Sequence, residues 1–238
     1  MAFPVDRVPP RDHRGALGAH TIESPSPISH GPAESILNLL AVGRDAVLVE
    51  VASAEHALSL AAWAREHRLA RDVVPGAETV LLDGLADGEH RADLPGSLAS
   101  WSPTAAAKGP EVEIVITYDG PDLEFVAECW GCDEEDVASR HQASEFVAAF
   151  CGFAPGFAYL SGLPQDLADV PRLGTPRTRV PAGSVALADR WCGVYPTDSP
   201  GGWRIIGRTD AELWDPARDQ PALLAPGTRV RFREGTAP

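Results

Sequence analysis

No apolar run in the 238-residue chain is long enough to cross a bilayer, and the N-terminus lacks the basic-then-apolar pattern of a secretory signal. Cytoplasmic residence with no membrane contact is therefore the expectation. A basic stripe is missing as well. Residues 1–139 carry 9 Lys and Arg against 24 Asp and Glu, whereas residues 140–238 carry 11 against 10. A net charge of −14 repels phosphate backbones, which excludes nucleic-acid binding as the expected role; the acidic first part reads as a solubilising surface.

Cysteine is scarce, at positions 129, 132, 151 and 192 only. Cys129-Trp130-Gly131-Cys132 has the spacing of a redox pair or half a zinc site. It follows the helical pattern Asp122–Glu128, however, which puts it at a helix C-terminus with Gly131 as the cap. A redox pair sits at a helix N-terminus after a strand. No second C-x-x-C or close H-x-H supplies the remaining ligands of a zinc site, so no metal is expected. Ser184 and Ser199 lack the G-x-S-x-G elbow and an evident His/Asp pair, which makes them hydrogen-bond donors or turn formers rather than nucleophiles.

What is present is a globular composition, 44% hydrophobic and 23% charged, on a chain long enough for one large domain or two small ones. Residues 1–34 hold several prolines, His13, His20 and His30, and no hydrophobic period; they read as a disordered or loosely attached tail. From Ser35 the texture changes. Ile36–Val42 and Ala46–Val51 flank Gly43-Arg44-Asp45 as two strands and a turn. Ser53 caps a helix running to about Arg68, Val73–Asp83 is a strand region broken by a turn, and Leu94–Trp101 reads as a second helix. A small α/β domain of βαβ type fits residues 35–107.

The second part, residues 108–238, opens with the alternating strand Glu111–Tyr118, a helix after Pro121-Asp122 and an acid-started helix from Asp133 to about His141. Between Phe150 and Thr209 proline and glycine alternate with short β-branched and aromatic runs, which allows only brief strands joined by rigid turns. Ala222–Phe232 reads as a turn and a closing strand. The fold class is α+β, and a closed barrel is the natural way to leave so many short strands without edges.

Four motifs within that stretch are specific. They are G-F-x-P-G-F-A-Y-L at Gly152–Leu160, P-R-x-x-x-P-R at Pro171–Arg177, V-P-A-G-S-V-A at Val180–Ala186 and S-P-G-G-W-x-x-I-G-R-T at Ser199–Thr209. In this order they resemble the family of 5-oxoprolinase B subunits, also described as allophanate hydrolase subunit 1 and as the KipI sporulation-kinase inhibitor. Gly43–Glu50 resembles the family's early G-D-x-A-L-L-V-E, with Arg44 and Asp45 in reversed order. Trp191-Cys192-Gly193 stands where Gln-Thr-Gly is more usual, and Cys151 where an aliphatic residue is commoner.

The resemblance implies a small α/β domain followed by a cyclophilin-like β-barrel. It also implies a partner, the C subunit, with a related barrel, and a separate A subunit, the three together coupling ATP hydrolysis to opening of the 5-oxoproline lactam to glutamate. The chain alone would then be inactive, with ATP used by the complex and no cofactor bound by this chain. No Walker A loop is present, which places ATP chemistry elsewhere. Two other readings stay open: a KipI-like inhibitor that binds a sensor histidine kinase, and an allophanate hydrolase or urea carboxylase-type subunit.

Lactam opening requires the substrate carboxylate to be held and charge on the amide oxygen to be stabilised. Arginine suits the first task through its planar fork. Among Arg172, Arg177, Arg179, Arg204 and Arg208, Arg177 and Arg204 are favoured as substrate contacts, with a surface ion pair as the alternative for each. His141 matches a histidine of the family pattern and is read either as a general acid/base or as a helix-terminal side chain satisfying carbonyls. Tyr159, Tyr195 and Trp203, with Ser184 and Ser199, complete the candidate substrate-binding set as amphipathic walls and donors.

Overall fold

The computed structural model describes residues 37–85, 88–104 and 109–235; the tail read over residues 1–34 lies outside them. Strands β1 (Asn38–Val42) and β2 (Ala46–Glu50) pair as an antiparallel hairpin. Helix α1 (Ala54–Glu66) starts where Ser53 accepts a hydrogen bond from the His56 amide at 3.2 Å. Strands β3 (Asp72–Pro75) and β4 (Thr79–Asp83) follow, then helix α2 (Gly88–Leu98). All pairings in this sheet are antiparallel and its order is β1-β2-β4-β3.

The simple βαβ unit expected here is thus split. Strands β2 and β3, on either side of α1, both run antiparallel to β4 and point the same way, but β4 lies between them. The cause is local: the Gly76 amide donates to the Thr79 carbonyl at 2.7 Å, so β4 folds straight back on β3 and takes the slot beside β2. Helix α2 also begins earlier than the expected Leu94 and carries Pro95 in its interior. One face of the sheet, with Val47, Val49, Val73, Val80 and Leu82, packs with Leu60 and Leu94 of the helices into one buried cluster.

The second part begins with β5 (Glu111–Ile116), helix α3 (Leu123–Trp130) and helix α4 (Glu134–Ala143). Gly131 ends α3 at φ +62, with its amide directed at the Ala127 and Glu128 carbonyls, so the Cys-Trp-Gly-Cys stretch is a helix C-cap. The Asp133 side chain starts α4 by accepting from the Asp136 amide at 2.8 Å. Burial raises the pKa of both Cys129 and Cys132, the reverse of what a reactive thiolate needs.

Short strands then follow, as the proline and glycine content requires. They are β6 (Phe146–Cys151), β7 (Ala158–Ser161), β8 (Arg177–Val180), β9 (Ser184–Ala188), β10 (Trp191–Val194), β11 (Ser199–Gly201), β12 (Arg204–Arg208) and β13 (Arg229–Glu234). Seven strands form one sheet in the order β12-β9-β10-β7-β6-β13-β5, and β8 pairs with β11 as a separate ribbon. The two ends of the large sheet meet at Thr117 and Arg208, which exchange two backbone hydrogen bonds of 2.9 Å, leaving a nearly closed barrel. The turn and closing strand read over Ala222–Phe232 are both present: the Thr228 amide turns back to the Ala225 carbonyl through Pro226-Gly227, and β13 follows from Arg229.

The barrel interior is filled by side chains such as Ile114, Phe146, Leu160, Leu187, Ile206 and Phe232. Helix α3 lies against β12, helix α4 against β13, and α1 against β6. No helix among the described residues is long and apolar enough to cross a membrane.

Candidate functional site

Four of the Pro/Gly-framed corners converge on one groove. Strand β7 brings Tyr159, the residue after β10 is Tyr195, and Trp203 immediately precedes β12; the loop before β8 brings Arg172, Leu173 and Pro176. The groove has a volume of about 230 Å³. Its loops are pinned to one another, since the Leu173 amide donates to the Gly202 carbonyl at 2.8 Å.

The floor is a set of edge-to-face aromatic contacts. Phe157 meets Tyr195 at 5.3 Å and Trp203 at 5.5 Å, and Tyr159 meets Trp203 at 5.5 Å, all with steeply inclined planes. Tyr159 is stacked from behind on Phe150 at 4.3 Å. Close packing here depends on Gly193: a Cβ at that position would lie 2.9 Å from Phe157 Cζ and 3.0 Å from Trp203 Cζ3. Burial raises the Tyr195 phenol above its ordinary pKa, so it is a neutral hydroxyl at physiological pH.

Two residues give the groove its chemical character. Phe153 is 58% exposed and sits at φ +68, a left-handed conformation that costs a bulky side chain about 1–2 kcal/mol. Strain and exposure of a large apolar ring coincide at its rim. Arg172 is 55% exposed, lies 5.9 Å over the Trp203 ring and pairs with Asp189 at 3.2 Å. It is the cation that lines the groove.

The two arginines favoured from the sequence are elsewhere. Arg177 makes two hydrogen bonds, 2.8 and 2.9 Å, to Asp122 and a third, 3.3 Å, to the Trp203 carbonyl. Arg204 lies 3.5 Å from Asp122, donates to the Pro171 carbonyl at 3.0 Å and covers the Phe125 ring at 3.5 Å. Asp122 also accepts from the Ile205 amide at 2.7 Å. This knot ties the start of α3 to β8 and β12 and holds the Trp203 backbone from behind the groove.

His141 is fully buried in the barrel core. Its Nδ1 is 2.8 Å from the Tyr118 hydroxyl, its Nε2 is 3.4 Å from Cys192 Sγ, and its ring packs on Phe232 at 4.5 Å. Desolvation lowers its pKa to about 3, so it is a neutral core imidazole, separated from the groove. Burial likewise raises the Tyr118 and Cys192 pKa values. Ser184 is buried on β9, where its carbonyl accepts from the Tyr195 amide at 2.9 Å. The Ser199 hydroxyl turns back to the Thr197 carbonyl at 3.1 Å, beside the groove residues Pro200 and Gly201.

The structure therefore brings Tyr159, Tyr195 and Trp203 together, and sets Arg177, Arg204, His141, Ser184 and Ser199 around or behind them. Phe153, Phe157 and Arg172 belong with the first group. Their positions within the Gly152–Leu160 and Pro171–Arg177 motifs were the signal that could have found them.

Comparison with known proteins is consistent with this architecture. Residues 37–224 match the family described as carboxyltransferase domain, subdomain C and D. The 5-oxoprolinase B subunit of Escherichia coli O157:H7 is 40% identical over 207 residues, covering 80% of this chain and 93% of that protein. The chain belongs to the family of 5-oxoprolinase B subunits. Among solved structures, the crystal structure of TTHA0988 superposes with a TM-score of 0.68 at 34% identity over 81% of this chain. The chain spans only 40% of the length of that structure. The Kluyveromyces lactis urea amidolyase covers 84% of this chain with a TM-score of 0.63 at 17% identity, spanning 15% of its own length, and shares the fold alone. In this member of the B-subunit family, the groove gathers Arg172 with the exposed ring of Phe153.

Proposed function

We propose that this chain is the B subunit of a cytoplasmic, ATP-dependent 5-oxoprolinase, a hetero-oligomer with A and C subunits that opens the 5-oxoproline lactam to glutamate. The observation that carries the reading is the 40% identity to a 5-oxoprolinase B subunit along nearly the whole of that protein. The groove supports it chemically. A volume of about 230 Å³ suits a single five-membered ring bearing a carboxylate. Arg172 takes the carboxylate with its planar fork, and Phe157, Tyr159 and Trp203 seat the ring.

The groove offers an anchor but no general base among the described residues: His141 is enclosed in the core and Arg177 is occupied by Asp122. Amide activation therefore falls to the partner chains, with ATP bound on one of them, and the isolated chain is inactive. The test is ATP-dependent glutamate release from 5-oxoproline by the chain purified with its A and C subunits. Release by the full set and none by the chain alone is expected. No release by the full set, together with tight binding to a histidine-kinase dimerisation domain, would overturn the reading.

A further inference from the structure

The second face of the four-stranded sheet exposes several large apolar side chains. Register puts Leu40, Leu48, Leu81 and Val74 in one straight row across β1, β2, β4 and β3, on the side opposite Val47, Val49, Val80 and Leu82. The row is continuous through all four strands. Leu40 is 42% and Val74 48% exposed, Val42 beside them is 44% exposed, and Leu48 and Leu81 are half-buried. Antiparallel sheets with one solvated face ordinarily alternate apolar and polar residues, so a full apolar row on the outer face departs from that pattern.

Carboxylates stand on both sides of the row. One flank is Val42, Ala46, Asp83 and Asp72; the other is Asn38, Glu50 and Thr79. Arg71 pairs with Asp72 at 2.9 Å and Asp83 at 3.7 Å, and Glu50 accepts from Asn38 at 2.6 Å, which leaves an excess of negative charge around an apolar strip. A second copy of this chain would bring like charge against like, since the whole chain carries −14. An occupant with an apolar ridge and a basic rim matches both features.

We propose that this sheet face is a docking surface for an element of a partner polypeptide whose apolar ridge is flanked by Arg or Lys. The inference rests on the reading that the chain works within an assembly, and it assigns the surface one partner uses. Strand β1 is also at the end of the strand order among the described residues, so an extended partner segment gains backbone pairing there in addition to the apolar row.

The experiment is reconstitution of the full chain with its A and C subunits, comparing wild type with the double variant Leu40→Glu, Val74→Glu. Both positions are exposed, so the variant keeps the wild-type far-UV circular dichroism and thermal transition. The expected result is loss of one of the two partners on gel filtration, with its affinity weakened about tenfold or more. The charge-reversed pair Asp72→Arg, Asp83→Arg weakens binding of the same partner, and amide exchange in β1 slows when wild type is bound. Full retention of both partners by the Leu40/Val74 variant overturns the proposal. So does a wild-type dimer, seen by sedimentation of the isolated chain, that the same substitutions dissolve, because the face then belongs to a second copy. A wild-type complex that assembles but releases no glutamate overturns the proposed activity and leaves the docking face standing.

Discussion

Asp122 and Arg177 are joined by two hydrogen bonds, 2.8 and 2.9 Å, with the carboxylate only 7% and the guanidinium 26% exposed. The same carboxylate serves the Ile205 amide and stands 3.5 Å from Arg204. A charge so enclosed is costly to leave alone, and its loss removes three hydrogen bonds at once.

Asp122→Asn is therefore expected to lower stability by about 3 kcal/mol, the range seen when one partner of a buried pair is removed. Arg177→Ala acts in the same direction, through the carboxylate it abandons. Chemical denaturation midpoints check this, and a loss below about 1 kcal/mol in both variants would show the knot to be dispensable.

Arg172→Ala has the opposite profile. Its side chain is exposed and its pair with Asp189 is a surface one, so the denaturation midpoint stays within about 0.5 kcal/mol of wild type. In the reconstituted complex, kcat/KM for glutamate release falls about a hundredfold, with partial recovery in Arg172→Lys. An unchanged kcat/KM removes Arg172 from substrate recognition.

Phe153→Gly relieves the positive φ and stabilises the chain by about 1 kcal/mol or leaves it unchanged, yet weakens what the groove holds. Thermal melting and turnover measured on the same variant separate the two effects. A destabilised Phe153→Gly would mean that the ring is a packing element.

His141 fixes a pH dependence. Its pKa is lowered to about 3 by burial, from an unfolded value of about 6.5, so the unfolded chain takes up the proton first. Its contribution to stability is whole above about pH 6.5 and declines as pH falls toward 3, by about 1.4 kcal/mol per unit. His141→Gln flattens that part of the stability profile. Nuclear magnetic resonance of the wild-type ring checks the premise: a midpoint above about pH 5 would contradict it.

Gly193→Ala places a methyl against Phe157 and Trp203. The expected cost is about 1–3 kcal/mol together with altered near-ultraviolet dichroism, since the aromatic floor has to shift. Wild-type dichroism and stability would show that the rings give way freely.

Local signals in the sequence located the caps and the barrel's texture. Ser53, Gly131 and Asp133 cap helices through contacts that span only a few residues, and the proline and glycine content of Phe150–Thr209 does limit its strands to short ones. The aromatic walls Tyr159, Tyr195 and Trp203 were legible for the same reason, each lying inside or beside a motif. What escaped was long-range. Arg177 finds its carboxylate 55 positions earlier in the chain, and only that partner separates it from Arg172, a neighbour of similar local setting. His141 faces the core because α4 lies on β13, a strand formed almost a hundred residues later. Insertion of β4 between β2 and β3 likewise follows from hairpin geometry that hydrophobic periodicity does not encode.

Strand β13 sits between β5 and β6 although it is the last strand of the described chain. During synthesis, β5 and β6 must each wait with an open ladder until residues 229–234 leave the ribosome. The barrel then assembles in one late event, and a nascent chain stalled short of that strand presents two sticky edges to chaperones and to its neighbours.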